Sequence, residues 1–189
     1  MIFATVGTQL PFSRLLCALD DWAGRNPRTR VLAQTGVSAE CFRHIETVET
    51  LPREAFLDHV RRADLVVAHA GMGSILSAAE LGKRVVIMPR RADLGEHRND
   101  HQRDTAEKMA ALSNVSVAET AEALWSRLDE ELERAGQPEA EAAKAQAAPR
   151  ASDELLRTLR GFVWSPPLAV RRPRFSFGRR DTAAGALRA

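Results

Sequence analysis

Short apolar runs alternate with longer amphipathic stretches from residue 2 to about residue 135. The apolar runs have the length of buried strands and lie at 2–6, 31–34, 44–48, 65–68, 85–88 and 115–117. Between them, apolar residues recur at helical spacing in 12–23, 53–62, 99–112 and 121–132, and Pro11 is expected to open the first of these helices. Strands that alternate with helices across short loops predict an α/β fold, a single domain with a parallel sheet that is covered on both faces.

The pattern changes beyond Ala135. Small and polar residues with two prolines fill 136–151, which predicts a linker, and Ser152 is expected to cap an amphipathic C-terminal helix over 152–164. Residues 165–189 hold six arginines and one aspartate together with three prolines. Such a segment cannot bury a core, so we expect a disordered basic tail.

Composition narrows the function only slightly. The 189 residues are 44% hydrophobic and 28% charged with a formal net charge of +2, as in an ordinary globular protein. Cys17 and Cys41 form no CxxC pair, and the five histidines show no ligand spacing, so no metal site and no cofactor are expected. The strand-like start does not resemble a signal peptide and no apolar run could cross a membrane, which favours the cytoplasm.

The most informative segment runs from Asp64 to Pro89. It reads as an apolar strand, a turn at 69–74 (HAGMGS), an apolar helix and a second buried strand. A strand that passes through Gly-x-Gly-Ser into a helix favours an anion site, because glycines admit a phosphate closely and the first helical amides point at it. Ser74 adds a hydroxyl there, as a phosphate ligand, as an N-cap or as both.

The motifs in order resemble a known family. HAGMGS after a buried strand, LGKRVVIMP one helix later and an HQ pair at 101–102 look like the glycosyltransferase family 28 C-terminal domain. That domain is a Rossmann-like fold and the sugar-nucleotide half of a GT-B enzyme. The start, TVGT at 5–8, and GEHRNDHQ at 95–102 are similar to small catalytic subunits of bacterial exopolysaccharide synthesis, in which this half is a separate polypeptide. The dolichol-linked chitobiose-forming enzyme of eukaryotes has such a subunit as well.

The resemblance implies a role for each matching residue. The donor's diphosphate would be held by His69 and by the amides of Gly71, Met72, Gly73 and Ser74. Gln102, next to His101, would bond hydroxyls of the donor sugar. Gly7 and Thr8 would face the cleft between the two halves, and the backbone near Thr50 and Leu51 would lie close to the uracil ring. Relatives often bind the ribose through a glutamate at the position of Ser77, and Glu80 lies on nearly the same helix face.

Each of these residues also has a plain structural interpretation. His69 could be a hydrogen-bonded structural histidine, and Gln102 could be an ordinary polar residue at a helix start. Glu80 could be solvated or paired with Lys83 or Arg84.

The charged loop at 90–100 has two interpretations as well. Its arginines and histidines, with His101, could simply be solvated, as charged loops usually are. Alternatively, one of its arginines, Arg90, Arg91 or Arg98, could bind the carboxylate of an acidic donor such as a uronate through two hydrogen bonds.

The function implied is hexosyl transfer from a UDP-sugar to a polyprenyl-diphosphate-linked saccharide in exopolysaccharide synthesis, with inversion. The sequence offers no general base, which in two-domain relatives belongs to the acceptor-side half, so a membrane-anchored partner subunit is expected to supply it. The chain would then lie peripherally at the inner face of the plasma membrane, where the basic tail fits. The alternative is a non-catalytic nucleotide-sugar-binding or scaffold subunit. No nucleic-acid partner is expected.

Overall fold

The computed structural model describes residues 1–38 and 40–135. These residues form six strands and five helices in strict alternation apart from one strand pair: β1 (Ile2–Thr5), α1 (Ser13–Arg25), β2 (Val31–Gln34), β3 (Glu46–Val48), α2 (Arg53–Arg62), β4 (Leu65–His69), α3 (Met72–Glu80), β5 (Val85–Met88), α4 (His101–Met109), β6 (Val115–Val117) and α5 (Ala121–Ala135). The predicted linker, C-terminal helix and basic tail lie outside the described residues.

All neighbouring strands pair in parallel, in the order β3-β2-β1-β4-β5-β6. The predicted α/β fold with a parallel sheet is therefore confirmed. β1 lies at the centre, and its last residue, Thr5, is level with Gln34 of β2 and Ala68 of β4. Because the strands are parallel, their carboxyl ends all reach one edge of the sheet, where ligands bind in folds of this kind.

Helices cover both faces of the sheet, which explains why the strands are apolar throughout. Successive strand residues point to opposite faces. Ile2 and Ala4 therefore pack into one core layer beneath α1 and α5, whereas Phe3 packs into a second layer with α2 and α3. Trp22 anchors the first layer and Ile75 the second, and both are almost fully buried.

Several element boundaries differ from those predicted. The third strand begins at Glu46 rather than His44, because the Asp20 carboxylate accepts the amides of Arg43, His44 and Ile45 and so keeps them from pairing with β2. The first helix begins at Ser13, two residues after Pro11. No helix of the described residues is both long and apolar enough to cross a membrane.

Candidate functional site

A cavity of about 610 Å³ opens at the carboxyl edge of the sheet. The loop after β1 forms one wall of it with residues 5–10, and the first turns of α3 form the opposite wall. Polar and apolar groups from the other loops complete the lining: Gln34, Leu51, Arg53, Phe56, His69, Arg90, His97 and Gln102. The lining thus draws on the segments that follow five neighbouring strands, β1 to β5.

The His69 side chain is held between two glycines. A Cβ on Gly71 would lie 2.1 Å from the His69 Nε2, and a Cβ on Gly7 would lie 2.8 Å from the His69 Cε1. Gly7 also has a φ of +81°, which disfavours any other residue. The loops after β1 and after β4 therefore form a slot that the His69 imidazole fills. The imidazole fits there because neither Gly7 nor Gly71 carries a side chain.

His69 is neutral in the folded protein near pH 7. The pKa of the imidazole is lowered to about 4, mainly by burial and then by the charges of Arg90 and His97, while a hydrogen bond with the Thr5 backbone opposes the shift. The Nδ1 atom is buried without a hydrogen-bond partner of ordinary geometry among the described residues. The two interpretations of His69, as a structural residue and as a ligand of the diphosphate, both stay predictions.

The turn and helix that follow β4 leave backbone donors unpaired. Helix α3 begins at Met72 rather than after the HAGMGS turn, and its N-cap is Gly71, with no capping side chain. The first amide with an intrahelical acceptor is that of Ile75, which bonds the Gly71 carbonyl. The amides of the first helical turn, at 72–74, are thus available to an anion at the positive end of the helix dipole.

Two serines of α3 line the cavity. Ser74 is the third residue of the helix and is partly buried, and the expectation that it caps α3 is wrong, because the chain already becomes helical at Met72. Ser77 lies one turn further along and donates its hydroxyl to the Gly73 carbonyl at 2.9 Å. Its oxygen lone pairs can still accept a hydrogen bond from a ligand.

The guanidinium of Arg90 is committed to the protein backbone. It donates to the carbonyls of Val6 at 2.8 Å and Leu10 at 2.6 Å, bonds the Pro11 carbonyl as well, and stacks over Phe12. The side chain is 2% exposed, although it reaches the cavity wall. Arg90 therefore fixes the loop after β1.

The hypothesis of an arginine that forks a uronate meets a second obstacle. The side chain of Arg91 pairs with both carboxylate oxygens of Asp93 at the exposed surface. Since Arg90 is also engaged, neither guanidinium is free to bind an acidic sugar in this conformation.

Gln102 reaches the cavity from the start of α4. Its Oε1 accepts the Arg90 backbone amide at 3.1 Å, which leaves the side-chain NH₂ as a donor toward a ligand. The neighbouring His101 is exposed, lies 3.8 Å from Asp104 and is not part of the lining.

The structure brings most of the sequence-predicted residues together but not all of them. The cavity lining includes Gly7, Thr8, His69, Gly73, Ser74, Ser77, Arg90, Gln102 and Leu51. It does not include Gly71, Met72, Glu80, His101 or Thr50. Glu80 is exposed at the far end of α3 and engages in an interaction of its own.

Sequence reasoning missed several lining residues: Thr5, Gln9, Leu10, Gln34, Arg53 and Phe56. Thr5 and Gln34 carried a usable signal, because each is a polar residue at the last position of an otherwise apolar strand. Arg53 carried another, since a cation at the first residue of a helix opposes the helix dipole.

An ion pair fixes the loop between β5 and α4. Arg14 of α1 forms a bidentate ion pair with Glu96, to which it donates from Nε at 2.7 Å and from Nη2 at 2.8 Å. It also donates to the carbonyls of Pro89 and Glu119. Glu96 in turn accepts the Arg91 amide at 2.9 Å. This clamp places His97 at the cavity wall.

Comparisons with known proteins agree on the fold. The model of the glycosyltransferase family 28 C-terminal domain matches residues 1–155. The glycotransferase of kitacinnamycin is 23% identical, with a TM-score of 0.54 over 84% of this chain and 39% of its own. The NMR structure of ALG13 is 19% identical, with a TM-score of 0.54 over 82% of this chain and 93% of its own. MurG of Acinetobacter baumannii is 19% identical, with a TM-score of 0.51 over 70% of this chain and 41% of its own.

These likenesses establish the fold, and the predicted Rossmann-like half of a GT-B enzyme is confirmed. The chain spans about two fifths of the length of the kitacinnamycin and calicheamicin glycosyltransferases. No curated protein matches it significantly.

Proposed function

The chain belongs to the glycosyltransferase family 28 C-terminal domain family, and from this premise we propose that it is the donor-binding subunit of a two-subunit glycosyltransferase. A UDP-sugar occupies the cavity at the carboxyl edge of the sheet. Its hexosyl group passes with inversion to a polyprenyl-diphosphate-linked saccharide in exopolysaccharide synthesis. The acceptor is held by a membrane-anchored partner, which keeps this chain at the inner face of the plasma membrane.

One observation carries the proposal: the uncapped start of α3 opens into the cavity beside the His69 slot. The unpaired amides at 72–74 and the helix dipole favour a diphosphate there. Nothing lies within 4 Å of a Cβ position on Gly73, so that glycine leaves open space through which a phosphate can approach the backbone. The HAGMGS turn thus provides both space for a phosphate and backbone amides that can donate hydrogen bonds to it.

These groups would stabilise the leaving diphosphate during transfer. As the glycosidic bond to the diphosphate breaks, negative charge grows on the phosphate oxygens, and fixed amides can meet it without rearranging. The neutral His69 contributes a hydrogen bond rather than a charge. Positive charge comes instead from Arg53, which lines the cavity and has no ion-pair partner among the described residues.

The rest of the donor follows from the positions of the other lining groups. The sugar lies toward Gln102, whose side-chain NH₂ meets a hydroxyl. Ser77, rather than Glu80, accepts from the ribose, because Ser77 lines the cavity and Glu80 does not. This choice accounts for a serine where related enzymes carry a glutamate.

The need for a partner rests on two features of the described residues. No carboxylate of the described residues lines the cavity, which supports a general base on the partner. Three large hydrophobic residues of the described chain are exposed on loops at the carboxyl edge of the sheet, Leu10, Val37 and Leu94, and Leu10 lines the cavity itself. Exposed apolar side chains at this edge support a surface that a second protein covers.

The test is reconstitution of sugar transfer with the membrane-anchored partner. The chain alone should bind UDP weakly and transfer nothing, whereas the complex should transfer sugar from a UDP-sugar to a lipid-linked saccharide. Ser74→Ala and Gln102→Ala should reduce transfer by at least tenfold while the partner stays bound. Full activity of the isolated chain would contradict the need for a partner.

A non-catalytic nucleotide-sugar-binding or scaffold subunit is the second candidate. The absence of a carboxylate from the described cavity lining favours it. The same variants separate the two: if the chain only scaffolds its partner, Ser74→Ala and Gln102→Ala will leave transfer by the complex unchanged.

A further inference from the structure

The side chain of Gln34 is buried at the cavity, and its amide oxygen has no hydrogen-bond partner among the described residues. Gln34 is the last residue of β2, is 3% exposed and lines the cavity. Its Oε1 is buried and accepts no hydrogen bond from the described residues. An unpaired buried amide oxygen destabilises a folded protein, because it has given up its bonds to water. Such an atom therefore calls for a partner that the protein itself does not supply.

The position of Gln34 along the sheet edge indicates which part of a ligand it meets. The phosphate-binding turn follows β4, and Gln34 ends β2, with β1 between them. Neighbouring strands lie about 4.8 Å apart, so Gln34 is about 10 Å from the phosphate end, a gap that a ribose bridges. Gln102, on the opposite side of β4, follows β5. A nucleotide-sugar lying across the edge thus has its sugar at β5 and its base at β2.

The surroundings of Gln34 suit a flat, partly apolar ring. Leu51 and Phe56 line the cavity from the segment that follows β3 and from α2, on the sheet face to which Gln34 points. Thr5, level with Gln34 on β1, accepts the Gly7 amide at its hydroxyl oxygen at 3.2 Å. The Gln34 Oε1 accepts no hydrogen bond among the described residues, so it has unused hydrogen-bonding capacity at this end.

We propose that Gln34 is a specificity-determining residue that recognises the imide edge of a uracil or thymine base, with Oε1 accepting the N3 proton and the side-chain NH₂ donating to the adjacent carbonyl. An amide offers an acceptor beside a donor, which complements the donor and acceptor of an imide in two parallel bonds. This inference rests on the proposed function, because it assumes that the cavity holds a nucleoside diphosphate.

The proposal makes an unusual prediction for stability. Gln34→Met keeps the volume of the side chain and removes the unpaired oxygen, so the variant should be as stable as the wild type or more stable. The same change should weaken UDP binding. If Gln34 merely supported the fold, Gln34→Met would lose stability, and the loss of affinity would follow from that loss of stability.

The experiment measures four affinities by calorimetry, those of the full-length wild type and of Gln34→Met for UDP and for 3-methyl-UDP. In 3-methyl-UDP, a methyl group replaces the proton on N3. The wild type should bind UDP about tenfold or more tightly than 3-methyl-UDP, as expected for one buried hydrogen bond. Gln34→Met should bind UDP about tenfold more weakly than the wild type and should discriminate between the two ligands at least threefold less. Thermal unfolding of both proteins reports whether the variant folds.

The outcomes are distinguishable. Equal discrimination by the wild type and Gln34→Met would overturn the role of Gln34 and leave the proposed function standing. A variant that melts well below the wild type and loses affinity would show a structural role and would overturn the proposal as well. Failure of the wild type to bind UDP at millimolar concentration would refute the proposed function itself, and the inference with it.

Discussion

The imidazole of His69 occupies the space that a side chain at Gly71 would need. A Cβ on Gly71 would lie 2.1 Å from the His69 Nε2 and 2.8 Å from its Cε1. The glycine before α3 therefore does more than shape a turn. It permits a partly buried histidine at the end of β4, directly beside the unpaired amides on which the proposed diphosphate site depends.

A pair of glycine substitutions separates this packing role from ligand binding. Gly71→Ala should displace His69 and destabilise the protein by about 1–3 kcal/mol, as overpacking does. Gly73→Ala should be tolerated, since its Cβ would meet no atom within 4 Å and alanine favours a helix. Urea unfolding of both variants measures the contrast, and equal destabilisation would contradict it.

The two variants also differ in how they can be rescued. If the imidazole is what Gly71→Ala disturbs, the double variant His69→Ala with Gly71→Ala should be less destabilised than the sum of the single changes. Gly73→Ala, which keeps the fold, should still weaken UDP binding because its methyl group narrows the approach to the backbone.

The partly buried His69 should make stability depend on pH. The pKa of His69 is about 4 in the folded protein against an ordinary value of 6.5. Between these values the unfolded chain takes up a proton that the folded protein does not, so the free energy of unfolding falls as the pH falls from about 6.5 toward 4. The loss from this one group is up to about 3 kcal/mol.

A matched variant isolates the contribution of His69. His69→Gln removes the titrating group, so its free energy of unfolding should vary less steeply between pH 6.5 and pH 4.5 than that of the wild type. Urea unfolding at several pH values measures both slopes. Identical slopes would mean that His69 does not titrate with a lowered pKa.

The clamp between Arg14 and Glu96 should control the loop before α4. Glu96→Gln removes the charge that Arg14 forks, and because this pair is partly buried we expect a loss of about 1–2 kcal/mol. Asp93→Asn breaks the exposed pair with Arg91 in the same loop and should cost less than about 0.5 kcal/mol. Hydrogen exchange over 91–100 should accelerate in Glu96→Gln and not in Asp93→Asn.

The fold was largely predictable, whereas the details of the site were not. Apolar runs such as 65–68 alternate with stretches of helical spacing, and this pattern was enough to predict a parallel sheet. The strands of such a sheet are buried on both faces and are therefore apolar throughout. The start of β3 was missed because Asp20, distant in sequence, captures the amides before Glu46. No local pattern announces such a contact.

Arg90 and Gln34 show the same limit within the site. Arg90 was read as a possible ligand for a carboxylate, but the loop after β1 turns three carbonyls toward its guanidinium. Gln34 was passed over, although a polar residue at the end of a buried strand deserved notice. The glycine turn at 71–73 was recognised because its chemistry is local, while these roles depend on which loops meet.

Asp20 provides a test of the fold away from the cavity. Its carboxylate accepts three backbone amides at 2.7 to 3.1 Å, and bonds to a charged group are each worth more than neutral ones. Asp20→Ala should therefore cost about 2 kcal/mol of stability. The exposed neighbour Asp21 is the control, and Asp21→Ala should be nearly neutral in the same thermal unfolding experiment; an equal loss would contradict the role of Asp20.

The central claim is that a nucleoside diphosphate binds across the carboxyl edge of the sheet with its phosphates at the start of α3. The most direct measurement is a titration of the ¹⁵N-labelled chain with UDP, followed by NMR of the backbone amides. The amides of Met72, Gly73 and Ser74 should shift together with those of the loop after β1, and the same shifts should need a higher UDP concentration in Gly73→Ala. No change at millimolar UDP, or changes confined to another surface, would contradict the account.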